Sequence, residues 1–587
     1  MNFVLILDKM EKMLNTCKYK YSSECLIFRS FLKSSVENRA LKGDSQKISR
    51  KERITMEEKI HEIFNSLSLE EKIGQVVMCG FHGTQVSSEM EELIRKYHLG
   101  NVILFKRNVK DPQQLKALTS SLQGLSRIPL SIAIDQEGGV VTRLEEPFTI
   151  FPGNMATAAT YDENNAYLTG LIMAEEMRAV GINWNLAPVA DVNDLPENPG
   201  IGVRSYSDDA EIVARFANQF VNGLHDGKVA ACAKHFPGKG HSAKDAHLEM
   251  PTVKRNLNEL KKIDLFPFKS LIKTGVDAVM PSHVYYLDLC EEKDLPATLS
   301  KEVMTTLLRK DMKFKGICIT DDLEMGGITN SLSGSEAAWR ALKAGADIVM
   351  MCHTFDEQAR TFEKIKEKVL SGDLPIERLD EAVLRVLHFK ETLDLFEGEL
   401  IVENDIGSSE HKRIAEDITK NSITICRNMD QIVDYISRGP ILILFPSSTK
   451  TVKIEEKGRV KEVEMEKVFK KNVNFPVKSL LFSPEPSEDE IQEMMKSVKK
   501  FKGTILLNTV NAYLNPKMKK LVYEVMKIKA HKTLLIALRN PYDAFLNGVR
   551  NSIALYNDSK ISQRVFATMI SFNEKLTGKL SIIHWSD

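Results

Sequence analysis

Eight short apolar runs occur before residue 360, and amphipathic stretches separate most of them. The runs are Gly74–Phe81, Asn101–Phe105, Leu130–Asp135, Trp184–Asp191, Val229–His235, Ala278–His283, Gly316–Thr320 and Ala346–Met351. Between them lie helical patterns such as Ser88–Tyr97, Asp111–Leu125, Asn165–Val180, Asp209–His225, Leu257–Thr274 and Lys301–Arg309. Strands alternating with helices are the sequence form of parallel βαβ units. Eight strands in about 300 residues predict a (β/α)8 barrel, whose usual size is about 250 residues. An open doubly wound sheet is the alternative. A glycine-rich phosphate loop after a strand would favour it, and none with the right spacing is present.

The chain, at 587 residues, is long enough for more than one domain. Met56–Leu67 reads as an amphipathic helix, and Ser68-Leu69-Glu70-Glu71 as a capping-box start for the next. Helix Pro375–Leu395 closes the barrel unit. Residues 56–398 are therefore expected to form the barrel, 399–412 a linker, and 413–587 a separate αβα sandwich. The sandwich strands are read at Ser422–Arg427, Ile441–Phe445, Ser479–Phe482, Thr504–Asn508 and Thr533–Leu538, with helices at Glu488–Val498 and Lys517–Lys529. Residues 1–55 lack clear periodicity and end in a basic run, Lys47–Arg53; they are read as an N-terminal extension.

Lysine plus arginine and aspartate plus glutamate both number 80, so no global field favours nucleic acid or an anionic membrane. No apolar run approaches the ~18 residues of a membrane span. The apolar stretch Phe3–Leu7 is shorter than the roughly 7–15 residues of a signal peptide's apolar region. Cys79, Cys232, Cys318 and Cys352 sit inside apolar runs and read as small buried hydrophobes in a reducing compartment. A cytoplasmic monomer acting on a small-molecule ligand, without a cofactor, is the expectation.

In a barrel of this kind the active site lies at the C-terminal strand ends. The third run ends in Asp135-Gln136-Glu137-Gly138-Gly139, with Arg143 beyond. The fourth ends in Asp191-Val192-Asn193, and its loop carries Arg204. The fifth ends in Lys234-His235, the sixth in Ser282-His283, and the seventh in Thr320-Asp321-Asp322. Singly, most have a bland explanation: Asp135 and Asp322 suit helix N-caps, and Asp191 suits a buried ion pair. Converging on one rim, they favour a polar ligand. Carboxylates, lysine, histidine and arginine without a phosphate loop suit a neutral polyol such as a sugar.

The loop after the fifth run, Pro237-Gly238-Lys239-Gly240-His241-Ser242-Ala243-Lys244-Asp245-Ala246-His247, is broken by proline and glycines. A glycosidase needs one group to attack or stabilise the anomeric carbon and another to protonate the leaving oxygen. Asp321, rigidly held at a strand end, suits the first role. His247, with an unperturbed pKa of ~6.5, suits the second, and Asp245 can orient its ring. The competing reading is zinc held by His235, His241, Asp245 and His247. No helical His-Glu-x-x-His signature supports it, and no metal is expected.

Lys234-His235-Phe236-Pro237-Gly238-x-Gly240 followed by Asp245-x-His247 resembles the signature of glycoside hydrolase family 3, in its β-N-acetylhexosaminidase branch. Asp135–Gly139, Leu186–Asn193, Ile201–Ser205 and Thr320-Asp321-Asp322-Leu323-x-Met325 are similar to four further motifs of the family. Arg539-Asn540-Pro541-Tyr542-Asp543 and Gly578-Lys579-Leu580 look like the αβα domain of its two-domain members. The resemblance implies a retaining mechanism, with Asp321 as nucleophile and His247 as acid/base paired with Asp245. Asp135, Arg143, Arg204, Lys234 and His235 would bind an N-acetylglucosamine unit. It also implies release of that sugar from cell-wall muropeptides, with phosphorolysis as a variant. The family often has Arg where Val140 stands, His where Lys239 stands and Gly where Ser207 stands. Of these, Lys239 bears on aglycone or anion preference.

Overall fold

The computed structural model describes residues 50–244, 250–397, 401–428, 436, 439–450, 460 and 462–584. The chain divides into two compact units, residues 1–67 and 68–587. In the first, the described part is one helix, Arg50–Ser66, which begins before the pattern starting at Met56 indicates.

The second unit opens on helix Leu69–Gln75, capped as its sequence demands. Ser68 Oγ accepts from the Glu71 amide at 3.2 Å, and the Glu71 carboxylate accepts from the Ser68 amide at 2.9 Å. A closed parallel barrel follows, in the order β1-β10-β9-β7-β5-β4-β3-β2. Its strands are β1 Val77–Cys79, β2 Asn101–Leu104, β3 Ser131–Ile134, β4 Trp184–Asn185, β5 Ala230–Phe236, β7 Ala278–Pro281, β9 Ile317–Asp322 and β10 Ile348–Met351. Each lies on, or within two residues of, one of the eight apolar runs. Two short strands, β6 Thr252–Val253 and β8 Tyr285–Tyr286, form a separate parallel pair.

Strand limits depart from the apolar runs, at β4 and β9 among others. β4 spans only Trp184–Asn185, but the chain stays bonded to β5 beyond it, the Pro188 carbonyl accepting from the Lys234 amide at 3.2 Å and the Ala190 amide donating to the Lys234 carbonyl at 2.6 Å. β9 runs on to Asp322, whose backbone still pairs with Met350 of β10.

The barrel interior is filled by Met78, Ile103, Ala133, Trp184, Cys232, Ile319 and Met350, all buried. Helix Ile376–Thr392 covers the N-terminal end, with Phe389 against Trp184 at 4.7 Å between ring centroids. Beside it, Lys390 is fully buried and donates to Gln75 Oε1 at 2.7 Å and to the Gly100 carbonyl at 2.8 Å. Burial without a carboxylate partner lowers its pKa to about 7, from 10.5. The folded state therefore binds fewer protons than the unfolded chain between these values, so the penalty is complete below pH 7 and fades as pH rises. The unfolding free energy of wild type minus that of Lys390→Met should climb by up to ~1.4 kcal/mol per pH unit above pH 7. Denaturant titrations from pH 6 to pH 9.5 giving a constant difference would refute this.

Residues beyond the barrel form a mixed six-stranded sheet in the order β11-β16-β15-β14-β12-β13. Its strands are β11 Thr424–Arg427, β12 Ile441–Pro446, β13 Val477–Phe482, β14 Thr504–Thr509, β15 Thr533–Ala537 and β16 Asn551–Ala554. All pairs are parallel except β11 with β16. β16 escapes the hydrophobic pattern because two of its four residues are polar. Both are buried and bonded to backbone: Asn551 Nδ2 to the Thr533 carbonyl at 3.2 Å, and Ser552 Oγ to the Ala544 carbonyl at 2.9 Å.

Apolar layers cover both faces of this sheet. One of them continues into the barrel: Val140, Val141, Met155, Ala156 and Val203 share a core with Leu444, Leu507 and Tyr542. The two parts therefore bury apolar surface against each other, which is the main favourable term in such a junction. His411 adds a polar tie, its Nδ1 lying 2.9 Å from Glu176 Oε1. Hydrogen bonds that the ring donates to Glu175 and Glu176 push its pKa up to about 9.

Candidate active site

Because the barrel strands are parallel, their C-terminal ends share one rim, and the charged side chains gather there. Lys234, near the end of β5, is buried. Its Nζ lies 2.6 Å from Asp135 Oδ1 and 2.7 Å from Glu137 Oε1, both just past β3. Arg204 closes on Glu137 from the other side with a two-pronged contact, Nε to Oε2 at 2.8 Å and Nη2 to Oε1 at 2.7 Å. Burial alone would raise the Glu137 carboxyl, but the Arg204 and Lys234 cations outweigh it and hold the group well below the ordinary range. Burial likewise works against the Lys234 charge, and Asp135 and Glu137 overcome it. Two cations and two anions thus form one network.

The backbone that presents Glu137 is tightly constrained. Gly138 and Gly139 have positive φ, and a Cβ on Gly139 would come 3.0 Å from Gly153 Cα and from the Pro152 carbonyl. Arg143 is buried near the same group, with Nη2 4.0 Å from Asp135 Oδ2 and its guanidinium 5.8 Å from the Phe105 ring centroid.

His235 is oriented by Asp191, which is fully buried: Nδ1 lies 2.7 Å from Asp191 Oδ2. The same carboxylate accepts from the His235 amide at 3.2 Å and from the Lys239 amide at 2.7 Å. Burial raises the Asp191 pKa, partly offset by Lys239 and these two amides. Asp191 therefore fixes the path of the chain from β5 into its loop.

Asp321 stands at the end of β9, which lies opposite β3 in the strand order of the barrel. It is partly exposed, and its Oδ1 accepts from the Asp322 amide at 2.9 Å. Asp322 has a different task. It is buried, and its Oδ1 accepts from the Glu324 amide at 3.1 Å and the Cys352 amide at 3.2 Å. Its Oδ2 lies 3.2 Å from His353 Nε2. Behind the strand end, buried His283 holds the Asp322 carbonyl through Nε2 at 2.9 Å. That carbonyl can only accept, so Nε2 carries the proton; burial lowers the His283 pKa and keeps the ring neutral.

His241 enters the sequence reading only as a ligand in the competing zinc arrangement, and the structure gives it a carboxylate partner. Its Nδ1 lies 3.0 Å from Asp194 Oδ1, and Arg255 contacts Asp194 Oδ2. Arg255 is also anchored on buried Asp264 at 2.8 Å. His235 and His241 thus turn to separate carboxylates, Asp191 and Asp194. Asp245 and His247 lie outside the described residues.

The rim therefore brings together Asp135, Arg143, Arg204, Lys234 and His235, and Asp321 stands on the same rim at the end of β9. Sequence reasoning missed Glu137 as the anion joining Arg204 to Lys234. It also missed Asp194, Asp264 and Arg255. The signal for Glu137 was its place in an acidic turn; nothing local in sequence marks Arg255.

Comparisons with known proteins agree with this fold. Residues 68–389 match the glycosyl hydrolase family 3 N terminal domain. The chain is 29% identical to the beta-hexosaminidase A of Pseudoalteromonas piscicida, over 78% of this chain and 83% of that protein. It is similar to the solved structure of a glycoside hydrolase family 3 beta-N-acetylglucosaminidase from Paenibacillus sp. str. FPU-7. That match has 34% identity and a TM-score of 0.83, covering 88% of this chain and 99% of the other. A solved beta-glucoside phosphorylase is 26% identical with a TM-score of 0.76, covering 92% of this chain and 96% of the other. With the barrel, its charged rim and these matches together, the chain belongs to glycosyl hydrolase family 3 and is a glycoside hydrolase.

Proposed function

We propose that this hydrolase is a retaining exo-β-N-acetylglucosaminidase. The observation that carries the reading is the buried network of Asp135, Lys234, Glu137 and Arg204 on the rim where β9 also ends in Asp321. A pre-organised set of donors and acceptors suits the hydroxyls of a terminal sugar, and a carboxylate at the end of β9 suits its anomeric carbon. The names of the relatives and the Asp245-x-His247 spacing support an N-acetylated hexose. Asp321 attacks the anomeric carbon and forms a glycosyl-aspartate as the bond to the aglycone breaks. His247, oriented by Asp245, gives its proton to the departing oxygen and then takes one from the incoming water. A cell-wall muropeptide in the cytoplasm is the substrate setting we favour, on the family resemblance and the buried free thiols.

Proton NMR during hydrolysis of an aryl β-N-acetylglucosaminide tests the reading. The β-anomer of the free sugar should appear first; the α-anomer appearing first, or no turnover, would overturn it. His247→Ala should lose far more activity on a sugar leaving group than on an activated aryl one, because a good leaving group needs little protonation. Equal losses would remove His247 from the acid role.

The similarity to the beta-glucoside phosphorylase favours a second reading, in which phosphate replaces water as acceptor. A sugar 1-phosphate accumulating in millimolar phosphate would establish it.

A further inference from the structure

The loop from Asn193 to Arg204 touches three parts of the molecule at once. On the sugar side it carries Arg204, joined to Glu137. Toward the β5 loop, Asn198 Nδ2 donates to the carbonyls of Lys239 at 2.8 Å and Gly240 at 2.9 Å, and Asp194 meets His241 and Arg255. On its outer face it meets the second domain. Tyr513 Oη donates to the Pro196 carbonyl at 2.5 Å, and Asn193 Nδ2 lies 3.4 Å from Tyr542 Oη. Asn540 is seated against Gly202, where a Cβ would come 2.4 Å from Asn540 Oδ1; Gly202 also has positive φ. The second-domain residues are themselves interlocked. Asn540 Nδ2 donates to Tyr513 Oη at 2.9 Å, the Tyr513 amide to Asp543 Oδ1 at 2.9 Å, and the rings of Tyr513 and Tyr542 lie 5.0 Å apart.

We infer that Asn540 and Tyr513 of the second domain are positioning residues for the active site, setting sugar affinity by holding the Asn193–Arg204 loop without touching the sugar. The side chains involved are largely buried, so the contacts act in a low-dielectric junction where small displacements are costly. Arg204 follows Gly202 by two residues, and its forked contact with Glu137 tolerates little rotation. A shift of the loop by a fraction of an ångström therefore disturbs that contact before it disturbs Asp321, which stands on a different strand. The inference rests on the reading in which Arg204 serves sugar binding.

The test uses the full chain with Asn540→Ala and, as the gentler change, Tyr513→Phe, which keeps the ring against Tyr542 and removes one oxygen. For an aryl β-N-acetylglucosaminide, KM and the inhibition constant of free N-acetylglucosamine should rise together, by about tenfold for Asn540→Ala. The kcat should stay within about twofold, since Asp321 is unmoved. In an Arg204→Ala background the Asn540→Ala effect should vanish, because the two changes act on one contact. Lower melting temperatures with unchanged KM and inhibition constant would make these residues merely structural and overturn the inference. Additive effects in the double variant would overturn it too. If Arg204→Ala alone leaves KM unchanged, the fault lies instead in the assignment of Arg204 to the sugar.

Discussion

Asp321→Ala is expected to lower kcat/KM for an aryl β-N-acetylglucosaminide about 10⁴-fold, equivalent to ~5.5 kcal/mol of lost transition-state stabilisation. Removing a nucleophile forces water to attack directly, without the intermediate that divides the reaction into two easier steps. The fold should tolerate the change. Asp321 is partly exposed at the strand end, whereas the anchoring of β9 falls to Asp322 and His283. A melting temperature within about 2 °C of wild type is therefore expected, as for most changes away from buried networks. The alanine also leaves room for a small anion. Millimolar azide should restore part of the turnover on a substrate with a good leaving group and release the α-glycosyl azide, of inverted configuration. Activity near wild type, or rescue giving the β-azide, would remove Asp321 from the nucleophile role. Asp322→Ala is the informative contrast, since Asp322 gathers two loop amides and His353. Its loss should appear first in stability.

How far the sequence carried this picture depended on range. The barrel was legible because each strand is buried on both faces and so reads as a continuous apolar run. Motif residues at strand ends were legible for the same reason: once strand limits are known, the rim is known. What escaped were interactions between residues distant in sequence. Glu137 meets Arg204, 67 positions away, and nothing in either motif shows that the arginine closes on Glu137 rather than standing free for the sugar. The tie between Asp194 and Arg255 spans the whole β5 strand and its loop. β16 was missed because Asn551 and Ser552 are polar yet buried, satisfied by carbonyls of other segments. Junction residues such as Asn540 were visible as a motif, but only the fold shows that they press on Gly202.

Glu137 carries the second large expectation. Glu137→Gln keeps the shape of the side chain but leaves Arg204 and Lys234 buried with Asp135 as the remaining anion of the network. Breaking one partner out of a buried charge cluster typically costs about 3–5 kcal/mol, because desolvated cations are left uncompensated. Loss of stability on that scale is expected near neutral pH, together with a raised KM, since Lys234 and Arg204 lose their common anchor. The pH dependence follows from the direction of the shift. The Glu137 pKa is depressed in the folded state relative to 4.5, so its contribution is present above pH 4.5 and is lost as pH falls through the folded value. The gap between wild type and Glu137→Gln, measured by denaturant titration, should therefore stay constant from pH 5 to 7 and narrow in acid. A companion variant separates charge from packing. Adding Arg204→Met removes one stranded cation, so the double variant should recover part of the lost stability while its KM stays high. If the single variant is as stable as wild type, or if the double variant regains no stability, the network is not the electrostatic unit that its geometry describes.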